Sequence, residues 1–125
     1  MFEVSVDETF AAAHNLRNYK GKCEDLHGHN YKVRVTLAGE SLDDIGLLFD
    51  FKDLKLLLNE VIDRLDHQFL NDTEEFRNLN PSAENMAKHF YQEIGRRLQA
   101  VTNGRVRIKQ VKLLETDTTT ATYYE

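Results

Sequence analysis

Residues 27–37 run His-Gly-His-Asn-Tyr-Lys-Val-Arg-Val-Thr-Leu, and from residue 30 onward apolar and polar side chains alternate. One face carries Tyr31, Val33, Val35 and Leu37, and the other carries Lys32, Arg34 and Thr36. This period of two predicts a half-buried β-strand over residues 30–38. His27 and His29 open that strand, and side chains two residues apart point to the same face of a strand. Both imidazoles are therefore expected on one side.

A first strand is predicted over residues 2–13. It begins with the same alternation, in which Phe2, Val4 and Val6 oppose Glu3, Ser5 and Asp7. His14 ends this strand, and a polar loop over residues 15–26 leads to His27. A hairpin of the two strands would place His14 beside His27 and His29.

The middle of the chain changes to helical spacing. Residues 51–65 carry a helical apolar set of Leu54, Leu57, Leu58, Val61, Ile62 and Leu65. Asp50 is the predicted N-cap of this helix. A second helix is predicted to start near Ser82, just after Pro81, and to continue to residue 101. His89 lies within it and is assigned to a solvated helix face.

Two further strands are predicted near residues 105–115 and 119–124, after a helix stop at Asn103-Gly104. The alternation slips between Ile108 and Val111, which predicts a bulge or a bend. The order β-β-α-α-β-β predicts an α+β domain over residues 1–125, with a four-stranded antiparallel sheet and both helices on one face. The two open edges of such a sheet invite pairing with other subunits.

Composition narrows the class of protein. The 125 residues predict one domain. The 16 basic and 21 acidic residues give a net charge of −5, which disfavours a general nucleic-acid binder. No apolar run approaches the ~18 residues of a membrane span, and the first ten residues lack the pattern of a secretory signal. The single cysteine, Cys23, cannot form an internal disulfide, so a cytoplasmic setting is expected.

The three histidines His14, His27 and His29 predict a metal site at one end of the sheet. Three neutral imidazoles with a free fourth position are typical of catalytic zinc, whereas a structural zinc site is closed and usually contains cysteines. The alternative is a set of ordinary surface or hydrogen-bonding histidines.

Cys23 lies in a polar loop between Lys20 and Glu24, with Lys22 directly before it. Nearby lysines lower the pKa of a thiol, so Cys23 is a candidate base or nucleophile close to a metal. The alternative is an incidental loop cysteine.

Two carboxylates are further candidates. Asp66 precedes His67 after the first helix and is suited to orient the imidazole. The alternative for His67 is a histidine that the helix dipole favours at a C-terminus. Glu115 and Thr116 follow an apolar strand. A carboxylate there is either the exit of the strand to solvent or a bidentate acceptor for an amino-imino edge.

Five segments, in chain order, resemble the 6-pyruvoyl-tetrahydropterin synthase family over nearly the whole chain. They are Phe10-Ala-Ala-Ala-His14, Cys23-x-x-x-His27-Gly28-His29, Leu65-Asp66-His67-x-x-Leu70-Asn71, Asn80-Pro81-Ser82-Ala83-Glu84-Asn85 and Leu114-Glu115-Thr116. The three-residue gap between Cys23 and His27 resembles the bacterial branch, 6-carboxy-5,6,7,8-tetrahydropterin synthase, of the queuosine precursor pathway.

The resemblance implies a tunnelling fold (T-fold) and a division of roles among the candidate residues. It implies zinc on His14, His27 and His29, a catalytic group of Cys23, Asp66 and His67, and pterin contacts from Glu115, Thr116 and Ser82. It also implies a homohexamer, a dimer of trimers, with active sites between subunits.

The implied reaction converts 7,8-dihydroneopterin triphosphate to 6-carboxy-5,6,7,8-tetrahydropterin and releases acetaldehyde and triphosphate. Arg17, Lys20 and Lys22 are candidates for steering the triphosphate, or are solvated loop residues. Four alternatives stay open: 6-pyruvoyl-tetrahydropterin formation, hydroxymethyl-dihydropterin formation, a zinc hydrolase, and a non-catalytic metal- or pterin-binding protein.

Glu24 directly follows Cys23. Some relatives have a glutamate in place of the cysteine and yield 6-hydroxymethyl-7,8-dihydropterin for folate synthesis. A chain with both residues resembles a dual-purpose subgroup, so Glu24 is a candidate catalytic residue for a second activity. The alternative is a solvated loop residue.

Overall fold

A computed structural model of the chain describes residues 1–21 and 24–125. Its first two strands, β1 (Phe2–His14) and β2 (His27–Gly39), form a long antiparallel hairpin. The register pairs Phe2 with Gly39 at one end and His14 with His27 at the other. The predicted hairpin is confirmed, and it brings the two histidines together at the loop end.

Two helices follow the hairpin. Helix α1 (Phe51–Ile62) begins after Asp50, whose side chain accepts hydrogen bonds from two backbone N–H groups of the first turn, as predicted. Helix α1 ends three residues earlier than the predicted end, residue 65, because tight turns with a left-handed residue at His67 follow Ile62. Leu65 is nevertheless fully buried.

Helix α2 (Ala83–Thr102) has the predicted bounds within one residue. Ser82 caps its start by accepting the N–H of Asn85, and Asn103 ends it with a left-handed φ of 51°. Two short 3-10 turns, Leu70–Asp72 and Glu74–Phe76, lie between the helices.

Strands β3 (Arg107–Thr116) and β4 (Thr119–Tyr123) complete the sheet in the order β1-β2-β3-β4. The predicted bulge is present, since Thr36 pairs with Gln110 but Leu37 pairs with Ile108. The helices bury one face of the sheet. The shared core of sheet and helices includes Tyr31, Val33, Val35, Leu37, Leu54, Leu58, Phe90 and Ile94. Within residues 1–21 and 24–125, no helix is both long and apolar enough to cross a membrane.

The prediction for His89 is wrong. This side chain does not lie on a solvated face but is half-buried, with its ring edge-on to Phe76 at a centroid distance of 5.6 Å. The 3-10 turn that carries Phe76 covers this part of α2. The helical spacing of apolar residues does not predict that another segment packs on His89. Burial lowers the pKa of His89 below its usual range.

Candidate metal centre

Three imidazoles meet at the loop end of the hairpin. The Nε2 atoms of His14 and His27 are 3.0 Å apart, and the ring centroids of His27 and His29 are 4.7 Å apart. Glu115, near the end of β3, places Oε1 3.0 Å from Nε2 of His14 and 3.3 Å from Nε2 of His29. One ligand atom from each of these four residues lies within 4.8 Å of the others.

The outer nitrogens of two rings determine where their protons sit. Nδ1 of His14 is 2.8 Å from the carbonyl oxygen of Pro81, and Nδ1 of His27 is 2.9 Å from that of Asp25. Because a carbonyl oxygen only accepts hydrogen bonds, each neutral ring carries its proton on Nδ1. The Nε2 atoms therefore present lone pairs to each other.

Lone pairs that face each other at 3.0 Å repel unless a cation lies between them. Metal-ligating histidines commonly donate the other ring N–H to a backbone carbonyl, which fixes the tautomer and the ring orientation. Ligands about 2.0–2.1 Å from a tetrahedral metal ion lie roughly 3.4 Å apart, close to the distances found here. The four side chains therefore fit a metal ion.

Burial encloses His14 and disfavours the charged form of His29. The side chain of His14 is 3% exposed, and the hydroxyl of fully buried Tyr31 lies 3.2 Å from its Nδ1. Burial lowers the pKa of His29, an effect that Glu115 opposes. The neutral form of the imidazole is therefore favoured over the charged form. Nε2 of His29 is buried and has no aligned hydrogen-bond partner among the described residues.

Glu115 owes its position to a break in strand pairing. Leu114 pairs with Thr120 and Thr116 pairs with Thr119, so Glu115 is the extra residue of a bulge. Bulges re-aim side chains and are frequent next to active sites. Thr116 is exposed, and its hydroxyl is engaged with that of Thr119 in the β3–β4 turn.

Glu24 approaches the centre from the loop before β2. Its Oε1 accepts the backbone N–H of Leu16 at 3.1 Å and lies 3.9 Å from Nε2 of His27. Its backbone N–H donates to the carbonyl oxygen of Leu16. Glu24 is therefore held in place rather than freely solvated.

Two asparagines fix the chain just after His14. Asn71 accepts the N–H of Asn15 and donates to its carbonyl oxygen, and Asn80 forms the same reciprocal pair with Arg17. Each amide thus imitates a strand neighbour and pins this loop to the segments before α2. Both asparagines belong to the family-like segments, but their residue type alone predicts no role for them.

The expectation that Arg17 steers a triphosphate is not supported by its contacts. Its guanidinium donates to the carbonyl oxygens of Leu79, Asn71 and Phe76 at 2.9–3.2 Å. It therefore ties the loop to the rest of the domain. Lys20 is exposed beside the ring of Tyr19, and Lys22 lies outside the described residues.

Asp66 and His67 attach to the outer edge of β1. Asp66 Oδ1 accepts the N–H of Ala11 at 3.0 Å and lies 3.0 Å from Nδ1 of His67, while the N–H of His67 donates to the carbonyl oxygen of Ala11. The Ala11 hydrogen bond is the main cause that lowers the pKa of Asp66. His67 has a φ of 59° and a side chain that is 80% exposed. His67 and His29 both line an open groove of about 490 Å³.

Comparison with known proteins gives the family. The 6-pyruvoyl tetrahydropterin synthase family matches residues 3–125. The chain belongs to this family. It is 37% identical to a 6-carboxy-5,6,7,8-tetrahydropterin synthase of Bacillus subtilis over 98% of this chain and 84% of the relative. It is 31% identical to a 6-pyruvoyl tetrahydrobiopterin synthase of Dictyostelium discoideum, over 93% and 90% of the two chains.

A solved structure of the family has the same fold. The Caenorhabditis elegans 6-pyruvoyl tetrahydropterin synthase superposes with a TM-score of 0.81 at 27% identity, over 99% of this chain and 95% of that one. The expected T-fold is thereby confirmed. Family members named for two different activities match at similar identity, so membership alone leaves the product open.

Two candidate residues of the family pattern remain, Ser82 and Cys23. Ser82 uses its hydroxyl oxygen as the N-cap of α2, next to the Pro81 carbonyl that contacts His14. Cys23 lies outside the described residues, so its predicted catalytic role stays a prediction. The Pro81 and Asp25 carbonyl contacts were missed at the level of sequence, because backbone acceptors leave no residue-type signal.

Proposed function

We propose that this chain is a zinc-dependent carbon–carbon lyase that converts 7,8-dihydroneopterin triphosphate to 6-carboxy-5,6,7,8-tetrahydropterin, with release of acetaldehyde and triphosphate. The observation that carries the proposal is the convergence of three imidazole Nε2 atoms and one carboxylate, in a chain of this family. The activity for which the Bacillus subtilis relative is named supports the 6-carboxy product.

His14, His27 and His29 are proposed to hold the zinc. When bound, zinc supplies Lewis acidity toward the side-chain hydroxyls of the substrate. Buried His14, with its ring fixed by Pro81, is the rigid member of this set. Glu115 is proposed to accept the amino-imino edge of the pterin ring, because a carboxylate accepts two parallel N–H groups.

Cys23 is proposed as the general base, with a contribution of roughly 10²–10⁴-fold to the rate. In support, Glu24, its neighbour in the sequence, lies 3.9 Å from Nε2 of His27. Asp66 and His67 are proposed as a proton relay. The exposed His67 ring lies 3.0 Å from the Asp66 carboxylate, whose lowered pKa favours its ionised form and which is suited to orient the ring.

Subunit assembly is part of the proposal. Ala11 and Ala13 of β1 are covered by residues 66–69. In the described part of the chain, no strand pairs with the outer edges of β1 over residues 2–9 or of β4. Such edges favour strand pairing between copies. We propose a homohexamer, a dimer of trimers, whose active sites combine residues of different subunits. A mass near 14.5 kDa by light scattering at micromolar concentration would contradict it.

Product analysis tests the reaction. Zinc-loaded protein is incubated with 7,8-dihydroneopterin triphosphate, and the pterins are separated by chromatography. We expect 6-carboxy-tetrahydropterin and an equal amount of acetaldehyde. A 6-pyruvoyl product would move the chain to the other named activity of the family, and binding without conversion would favour a non-catalytic pterin-binding protein. Hydrolysis of simple esters without pterin turnover would favour a zinc hydrolase.

A second activity is proposed from the position of Glu24. Its carboxylate lies 3.9 Å from Nε2 of His27 and is 23% exposed, so a base other than the thiol is available at the metal centre. We expect a minor 6-hydroxymethyl-7,8-dihydropterin product. The C23A variant should retain this product and lose the 6-carboxy product, whereas E24A should do the reverse. Absence of the hydroxymethyl product in wild type, or its equal yield in E24A, would remove this second activity.

A further inference from the structure

Glu115, like the imidazoles, directs an electron-rich atom at another electron-rich atom. Its Oε1 lies 3.0 Å from Nε2 of His14, an atom that carries a lone pair because Nδ1 faces the Pro81 carbonyl. A carboxylate oxygen is also electron-rich, so the two atoms repel unless they share a cation. Its position therefore matches that of a fourth ligand beside the three histidines.

The proposed function makes a competing demand on this side chain. A bidentate contact with an amino-imino edge uses both carboxylate oxygens, whereas Glu115 here directs Oε1 at His14 and His29. Both uses draw on the lone pairs of Oε1, so they compete with each other. Binding of the pterin ring would therefore withdraw Glu115 from the imidazoles.

The side-chain exposure of the two residues permits this exchange. The side chain of His14 is 3% exposed, whereas that of Glu115 is 27% exposed. Glu115 also lies in a bulge two residues from the β3–β4 turn. The histidine is thus fixed and the carboxylate is the member of the cluster with room to move.

We propose that Glu115 is a displaceable fourth metal ligand, which closes the metal centre in the resting enzyme and leaves the metal when the pterin ring takes the carboxylate. The inference rests on the proposed three-histidine metal site. Under this proposal, binding of the pterin ring also opens the fourth coordination position of the metal. By linkage, metal and ring must then weaken each other's binding.

Metal affinity and the visible spectrum of the cobalt(II)-substituted protein test this inference. We expect E115Q to bind zinc at least about tenfold more weakly than wild type in a chelator competition. The matched control is D117N, which removes an exposed carboxylate two residues after Glu115 and should leave zinc affinity unchanged. Equal zinc affinity of wild type and E115Q would overturn the inference.

The second arm uses 2-amino-4-oxopteridine, a pterin ring with no side chain that could reach the metal. At concentrations that saturate its own fluorescence signal, it should change the cobalt spectrum of wild type and lower zinc affinity toward that of E115Q. E115Q should show no such change. Ring binding that leaves the wild-type spectrum unaltered would overturn the inference. Absence of metal from wild type itself would instead contradict the proposed function.

Discussion

The Nε2 atoms of His14 and His27 face each other at 3.0 Å, while the Nδ1 atom of each ring contacts a backbone carbonyl oxygen. Each ring must carry its proton on the outer nitrogen to satisfy that carbonyl. The inner nitrogens are then two acceptors with no donor between them.

The first prediction concerns metal retention. We expect about one zinc per chain in wild type and almost none in the H27A/H29A double variant, measured by elemental analysis. Chelation should lower the thermal midpoint of wild type, because a ligand of the folded state alone stabilises it. H89Q, which removes an imidazole outside the cluster, is the control and should keep its zinc. Full zinc in the double variant would contradict the site.

The second prediction concerns the clamp on the loop after His14. N80A removes both partners of the Arg17 backbone groups, and we expect a loss of about 2 kcal/mol in the free energy of unfolding. Zinc affinity should also fall, since the loop leads directly from His14. Urea unfolding and chelator competition measure the two effects. A variant as stable as wild type would show that water replaces the amide without cost.

The third prediction concerns Asp66. D66N keeps an oxygen that accepts the N–H of Ala11, so the fold should persist, but it removes the charge beside Nδ1 of His67. We expect kcat to fall by about 10²-fold or more with little change in the thermal midpoint. D66A, which also loses the strand contact, should lower both quantities. Unchanged kcat in D66N would remove the proposed relay.

The fourth prediction concerns the pH dependence of stability at His89. Burial lowers its pKa in the folded state, with Arg64 and Arg97 acting in the same direction and Glu93 and Glu75 opposing it. Below pH ~6.5, the unfolded chain takes up a proton at His89 before the folded protein does, so stability falls as the pH falls.

The H89Q variant isolates this contribution. The free energy of unfolding of wild type minus that of H89Q should decrease between pH 7 and pH 5 in metal-free protein. A difference that stays constant, or that increases toward low pH, would show that His89 is not held neutral by the fold.

Much of the fold could be predicted from the sequence because its signals are local. Alternation defined the hairpin strands, Asp50 and Ser82 marked the helix starts, and the slip after Ile108 marked a bulge. The convergence of His14 with His27 could be predicted from the hairpin alone. The two residues flank the hairpin loop, so strand pairing brings them together without any contact to the rest of the chain.

Other features depend on contacts that residue types do not show. His89 is covered by Phe76 from a separate turn. The Arg17 guanidinium donates hydrogen bonds to carbonyl oxygens that are distant in the sequence. Glu115 was expected to bind a pterin ring, and the bulge also directs it at the imidazoles. The spacing of residue types predicts neither long-range backbone acceptors nor the geometry of a bulge.

Return of zinc to metal-free protein, with product formation measured at each step, tests whether the reaction depends on zinc at this site. Metal-free protein should remain folded, because it has its own apolar core, but should not convert 7,8-dihydroneopterin triphosphate. We expect 6-carboxy-tetrahydropterin formation to rise in proportion to added zinc and to level off at one zinc per chain. Full turnover without metal, or zinc-loaded protein that forms no tetrahydropterin product, would contradict the account.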